Sequence, residues 1–226
     1  MNTSCENCTV AWKNFRNLTK SQLKLVDENR FEAFFKAGEI IIKQGSPATS
    51  VVFLSKGIAK AHTEGGNRKN KIVEILLPSN LIMGPGIYLN AGNFYSVSAL
   101  TECNACFINL EIINLLVRQN PEFAAGLVSD LSTKLYCGYN RLIHLTQKKM
   151  EGRLAEALLF LAEAVFKTDE FDMILTRQEL GELTNMAKES VVRILKSLEL
   201  SGIIRSDCSR ISIIDRTRLK MISEKG

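Results

Sequence analysis

The hydrophobic period of this 226-residue chain switches from short extended runs to a long helical repeat at Asn120-Pro121, and that switch limits the folds open to it. Upstream, from about Phe34, short apolar runs rich in Ile and Val alternate with turn signals. Residues 39–44 run into Gly45-Ser46-Pro47, 50–54 into Lys56-Gly57, 58–62 into Glu64-Gly65-Gly66-Asn67, and 71–77 into Pro78-Ser79-Asn80. Further runs lie at 81–83, 95–100 and 105–110. Short runs of β-branched residues at regular spacing predict strands of an antiparallel barrel or sandwich. Downstream, Asn120 is placed to cap a helix and Pro121 to occupy its first position. Val128, Leu131, Leu135, Gly138, Leu142 and Leu145 then recur at alternating spacings of 3 and 4. That is a heptad seam of nearly three repeats, and it predicts a long helix that pairs with a second copy. The competing expectation is a helix packed on its own β domain.

The flanks are helical. Residues 10–30 read as a helix, with Leu18, Leu23 and Val26 at roughly helical spacing and Thr19 able to cap it. Residues 150–166 read as an amphipathic helix, with Leu154, Leu158, Leu161 and Val165 on one face. A turn at 167–170 and a short strand at 171–175 follow. The fold class is therefore α+β: a β domain with its N-terminal helix (1–119), a long dimerisation helix (120–148) and a helical C-terminal domain (149–226).

Residues 176–204 carry the most specific signal. Thr176 caps a helix and Glu179 sits three residues on, the pattern of a capping box. Leu180 and Leu183 form its apolar face, Thr184-Asn185-Met186 is a tight turn, and residues 187–200 form a second helix ended by Gly202. Val191, Ile194, Leu195 and Leu198 of the second helix point inward. Short helix, tight turn and longer helix make a helix-turn-helix, followed by a two-strand wing over 203–205 and 210–214. The outward face carries Lys188, Glu189, Ser190, Arg193 and Lys196. In the DNA-binding version of this motif the start of the second helix meets base edges in the major groove. Arg193 suits guanine O6 and N7, and Glu189 suits cytosine N4. Ser190 and Lys196 suit phosphates or a second base, and Thr176, Arg177 and Gln178 at the start of the first helix complete the predicted DNA-binding set.

Charge supports that reading only when resolved along the chain. The formal net charge is +5, which permits a nucleic-acid partner without requiring one. Residues 149–187 carry a net −4 and residues 188–226 a net +4, so the basic segment begins at the second helix of the motif. No apolar run approaches the roughly 18 residues needed to span a bilayer, and the N-terminus lacks the basic-then-apolar pattern of a signal peptide. A cytoplasmic protein without membrane contact is expected. There is no nucleophile–base–acid set, phosphate-binding loop or carboxylate pair, and only two histidines, so the chain does not read as an enzyme.

Residues 176–181, 188–198 and 202–204 together resemble the helix-turn-helix signature of the CRP/FNR family of bacterial transcription regulators. Residues 37–45 and 52–57 are similar to the opening of that family's cyclic-nucleotide-binding β-roll. The resemblance spans roughly residues 15–215 and keeps the family's order of β-roll, long dimer helix and winged helix-turn-helix. It implies a homodimer on a pseudo-palindromic operator of double-stranded DNA, with RNA polymerase as a further partner. Glu189 and Arg193 match the family's base-reading pair, which implies half-sites with a TGA core. The family's cAMP binders hold the phosphate with a Gly-Glu segment and an Arg-Ser pair. The matching positions here are Gly84 and Gly86, with no Glu, and Tyr95-Ser96, with no Arg. An effector pocket around Gly84, Gly86, Tyr95 and Ser96 is expected, but a buried phosphate would lack its cation there, so cAMP is not the expected effector.

The effector is otherwise unknown. Cys5-x-x-Cys8 and Cys103-x-x-Cys106 form two thiol pairs that suit zinc or iron–sulfur ligation. The resemblance favours an iron–sulfur cluster, since Cys5, Cys8 and Cys106 fall near its cysteine positions; Cys103 would replace a ligand missing near Asn14. A thiol–disulfide switch, or plain buried cysteines beside a loose N-terminus, are the alternatives. Haem would need His62 as its axial ligand. A reading of another class also stands: a ligand-binding module whose helix-turn-helix packs a partner protein instead of DNA.

Overall fold

The computed structural model describes every residue except 1–4, 6, 7, 9, 10, 66–69, 83–90 and 208. The chain divides into two compact units, Met1–Leu135 and Tyr136–Gly226.

The first unit opens with a 3-10 helix, Lys13–Asn17, and helix α1, Lys20–Glu28, which Thr19 and Gln22 start with a reciprocal capping box. Eight strands follow: β1 (Arg30–Phe35), β2 (Ile40–Ile42), β3 (Ser50–Lys56), β4 (Ala59–Thr63), β5 (Lys71–Leu76), β6 (Leu81–Ile82), β7 (Ser96–Ala99) and β8 (Cys103–Asn109). They form two four-stranded antiparallel sheets, ordered β1-β8-β3-β6 and β2-β7-β4-β5. Helix α2 (Leu110–Gln119) and the long helix α3 (Pro121–Gln147) come next.

Strand alternation sorts the apolar side chains into two cores. Val52, Leu54, Cys103 and Ala105 of the first sheet join Ala59, Ala61, Val97 and Ala99 of the second in the roll interior. The opposite face of the first sheet, with Val51, Phe53 and Ile108, packs Trp12, Phe15, Val26, Ile113, Leu116, Phe123 and Leu127. Trp12 lies 5.3–5.6 Å from the rings of Phe15, Phe53 and Phe123, and its Nε1 donates to Asp130. Asn120 caps α3 by accepting from Phe123 N at 3.0 Å. Gly126 has a steric reason: a Cβ there would stand 1.9 Å from Asn14 Oδ1.

Helix α3 carries two apolar stripes. Phe123 and Leu127 are buried on the β domain, while Val128, Leu135 and Leu142 of the heptad seam are 63%, 57% and 58% exposed. The helix runs without interruption through Gly138.

The second unit contains the end of α3, helix α4 (Met150–Phe160) continuing as a π turn over Leu161–Phe166, and strand β9 (Glu170–Asp172). Helices α5 (Arg177–Thr184) and α6 (Lys188–Leu200), strands β10 (Ile204–Asp207) and β11 (Arg210–Ile213) and helix α7 (Arg216–Lys225) complete it. The three strands form one sheet, ordered β10-β11-β9. Helix α4 packs against α5, α6 and α7.

Three elements differ from the sequence expectation. The helix expected over 10–30 is a 3-10 helix plus α1 and stops at Glu28, because residues 30–35 pair along their whole length with β8. Leu110 opens α2 instead of ending a strand, since Asn109 Oδ1 accepts from Glu111 N and starts a helix there. Helix α7, capped by Asp215, went unread because it is mostly polar outside Leu219.

Candidate nucleic-acid interface

The helix-turn-helix is built by local chemistry. Thr176 Oγ1 accepts from Glu179 N at 3.2 Å, and Glu179 Oε2 accepts from Thr176 N at 2.7 Å, which fixes the start of α5. Such a cap contributes about 1 kcal/mol. Asn185 adopts the left-handed conformation (φ 55°) that ends α5, a geometry Asn tolerates better than most residues. The turn then folds against α5 so closely that a Cβ on Gly181 would stand 2.6 Å from Met186 O.

Helix α6 buries Val191, Ile194, Leu195 and Leu198 and turns Lys188, Glu189, Arg193 and Lys196 outward, with Ser190 half-buried. Its N-cap, Ala187, supplies no side-chain bond, so no side chain occupies the first N–H groups of the helix. Glu189 and Arg193 are one turn apart, and neither forms a side-chain hydrogen bond or ion pair within the described chain.

The three predicted residues on α5 are differently placed. Thr176 spends its hydroxyl on the cap, Gln178 donates to Glu182 at 3.3 Å, and Arg177 donates to Ser206 Oγ at 3.4 Å. Glu199 Oε1 also accepts from Ser206 N, so the wing is tied to both helices. Arg205 on the wing is exposed, and Arg210 pairs with Glu170.

In the β domain, Gly84 and Gly86 lie outside the described residues. Tyr95 and Ser96 have different surroundings. Tyr95 joins the interior cluster, and burial, then the nearby Glu74 charge, push its phenol upward. Ser96 is fully buried on the other face of its strand, where it accepts from Gln44 N at 2.9 Å and lies 3.5 Å from Glu64. Lys43 pairs with Glu64 and holds that carboxyl below the usual range. A phosphate at Ser96 would meet a carboxylate whose cation is already committed.

The cysteines are a correction. Cys5, Cys8 and Cys106 line one cavity of about 30 Å³ with Arg30, Glu32 and Trp12. Cys103 is fully buried in the roll interior, where Sγ donates to the carbonyls of Ile58 and Thr101 at 3.3 Å. Positions three apart on a strand face opposite ways, so Cys103 does not join the other three thiols. Without Cys103, the three thiols fall one short of the four-cysteine set expected for an iron–sulfur cluster. Among the described residues, no group of three or more His, Cys, Asp or Glu is arranged to hold a metal ion. His62 Nε2 is engaged by Ser98 Oγ at 2.9 Å, which commits the nitrogen a haem iron would use.

Sequence reasoning missed Arg30, which donates to Asp27 and Glu32 and lies 3.8 Å from Cys106 Sγ. The signal was the alternation Phe31, Ala33, Phe35, which marks a strand that carries Arg30 over the thiols.

Comparison with known proteins agrees with this architecture. The family model for the Crp-like helix-turn-helix domain matches residues 152–222, and that for the cyclic nucleotide-binding domain matches residues 32–120. The cAMP-activated global transcriptional regulator CRP of Haemophilus influenzae is 27% identical over 177 residues, 76% of this chain and 79% of the relative. The transcriptional activator protein anr of Pseudomonas aeruginosa is 26% identical over 190 residues, 81% and 77% of the two chains. The structure of FixK2 from Bradyrhizobium japonicum superposes with a TM-score of 0.77 at 18% identity, covering 85% of this chain and 96% of that one. A CRP/FNR-family transcriptional regulator from Thermus thermophilus gives 0.71 at 22% identity, covering 86% and 98%. A β-roll followed by a long helix and a winged helix-turn-helix, matched by both domain models over most of its length, makes this chain a transcription regulator of the CRP/FNR family.

Proposed function

We propose that this chain acts as a homodimer that reads a pseudo-palindromic operator with TGA-type half-sites. A signal received in the β-roll, an effector or redox change other than cAMP, controls it. The observation that carries the reading is the outward face of α6, where Glu189 and Arg193 stand exposed, one turn apart and unpaired. An Arg and a Glu at that spacing ordinarily attract each other. Left apart, they offer a guanine-reading donor and a cytosine-reading acceptor on one helix face. The net +4 of residues 188–226 supplies the phosphate attraction.

The exposed stripe of Val128, Leu131, Leu135 and Leu142 suits a second copy of the same helix, because the stripe that serves the chain's own β domain is a different one. The separation of Tyr95 from Ser96, and the carboxylate beside Ser96, support an effector without a phosphate in that position. A DNA-bound dimer of this kind would meet RNA polymerase at the promoter.

The test is selection of random duplexes by the purified full chain. Enrichment of an inverted repeat with TGA half-sites is the expected result. Recovery of no common sequence would remove the DNA reading and leave the helix-turn-helix as a protein-docking element.

A further inference from the structure

Two arginines outside α6 bond the end of α5 and the turn of the helix-turn-helix. Arg141, in the last third of α3, donates Nη2 to Leu183 O at 2.8 Å, at the end of α5. Arg153, in the first turn of α4, donates Nη1 to Leu145 O and to Asn185 O, both at 3.3 Å. Leu145 O belongs to the last turn of α3, and Asn185 is the left-handed residue of the turn itself.

We propose that Arg141 and Arg153 are positioning residues that lock the end of the dimer helix to the turn of the helix-turn-helix, and thereby fix the half-site spacing the dimer accepts. The inference rests on the reading above, that the chain binds a palindrome as a dimer.

The last carbonyls of a helix have no partner within it, so the ends of α3 and α5 need donors. A cation at a helix C-terminus also meets the negative end of the helix dipole. Guanidinium is planar and permanently charged, so it holds its acceptors with less rotational freedom than the ammonium of a lysine. Two further contacts join the end of α3 to α4: His144 Nδ1 contacts Glu156 at 2.6 Å and Lys148 donates to Glu156 at 3.2 Å. The last turn of α5, which receives Arg141, and the turn residue Asn185, which receives Arg153, lead directly into α6. Their position therefore sets where α6 points.

Half-sites of a palindrome lie about one DNA turn apart, roughly 34–36 Å, and one added base pair shifts and rotates the second site. A motif clamped to its dimer helix tolerates little of that change. A motif freed from the clamp pivots and accepts more. Neither arginine is asked to touch DNA, so its loss leaves phosphate contacts and base preference unchanged.

The experiment measures affinity of the full-length wild type, Arg141→Gln and Arg153→Gln for duplexes with the selected half-sites at the preferred spacing and at one base pair more or less. The wild type is expected to favour its preferred spacing about tenfold, the penalty of a typical mismatch. Either variant should reduce that preference to about threefold or less, with the salt slope and half-site sequence unchanged. Arg153→Lys, which keeps a cation but loses the planar, pre-organised donor group, should fall between. Undiminished spacing preference in both variants overturns the proposal, as does a uniform loss of affinity with a shallower salt slope, which would make the arginines phosphate contacts. If Arg153→Gln unfolds, Arg141→Gln, which gives up the bond to Leu183 O, decides alone. A wild type that binds no palindrome at any spacing fails the dimer reading itself, a result distinct from these.

Discussion

Cys103 and Cys106 stand three residues apart on β8 and face opposite layers of the β domain. Cys103 is sealed in the roll interior, and Cys106 lines the cavity shared with Cys5, Cys8 and Arg30. Burial, partly offset by the Arg30 charge and reinforced by Asp27, pushes the Cys5 thiol up to about 12, and burial also raises Cys106. Cys137 on α3 is exposed.

Alkylation should follow that placement. Iodoacetamide at neutral pH, read by mass spectrometry of digests, should label Cys137 before Cys103 and Cys5, which stay unmodified until the fold opens. Labelling of Cys103 at the rate of Cys137 would contradict the buried placement.

The same thiol carries a pH dependence. A group whose folded pKa is raised stabilises the fold fully below its unfolded value, and that contribution is lost as pH rises through the folded value. For Cys5 the window runs from 9.0 to about 12. The urea midpoint should therefore fall above pH 9, and less steeply in Cys5→Ala. Identical slopes in the two proteins would show that Cys5 is not the group responsible.

Trp12, the sole tryptophan, is 4% exposed within the Phe15, Phe53 and Phe123 cluster. Trp12→Ala should cost about 3–5 kcal/mol in chemical denaturation of the β domain, and Trp12→Phe less, since it keeps an aromatic ring and loses the bond to Asp130. A loss under about 1 kcal/mol for the alanine variant would mean that the N-terminal segment does not pack there in solution.

The two stripes of α3 make opposite predictions. Leu135→Glu or Leu142→Glu, at exposed positions, should leave the circular dichroism spectrum intact and convert a dimer to a monomer in sedimentation. Leu127→Glu, at a buried position, should destabilise the β domain. A Leu135→Glu protein that still sediments as a dimer would move the interface elsewhere.

The parts legible in the sequence were those fixed by neighbours. The Thr176–Glu179 capping box, the Asn120-Pro121 helix start and the strands between turn signals all depend on residues a few positions apart, and all appear in the structure. Tertiary choices were not legible. Strand β1 exists because β8 pairs with it, and the partition of Cys103 from Cys106 follows from strand parity once β8 has a buried face on each side. The Arg153 contacts join residues 8 and 32 positions away, which no local pattern records.

The central claim is that Arg193 reads a base. The direct measurement is a double-substitution cycle at fixed salt: wild type and Arg193→Ala, each titrated on the selected operator and on one whose half-site guanine is replaced. Arg193→Ala is expected to cost about 1–3 kcal/mol on the selected operator and far less on the replaced one. An equal loss on both operators, or none on either, would contradict it.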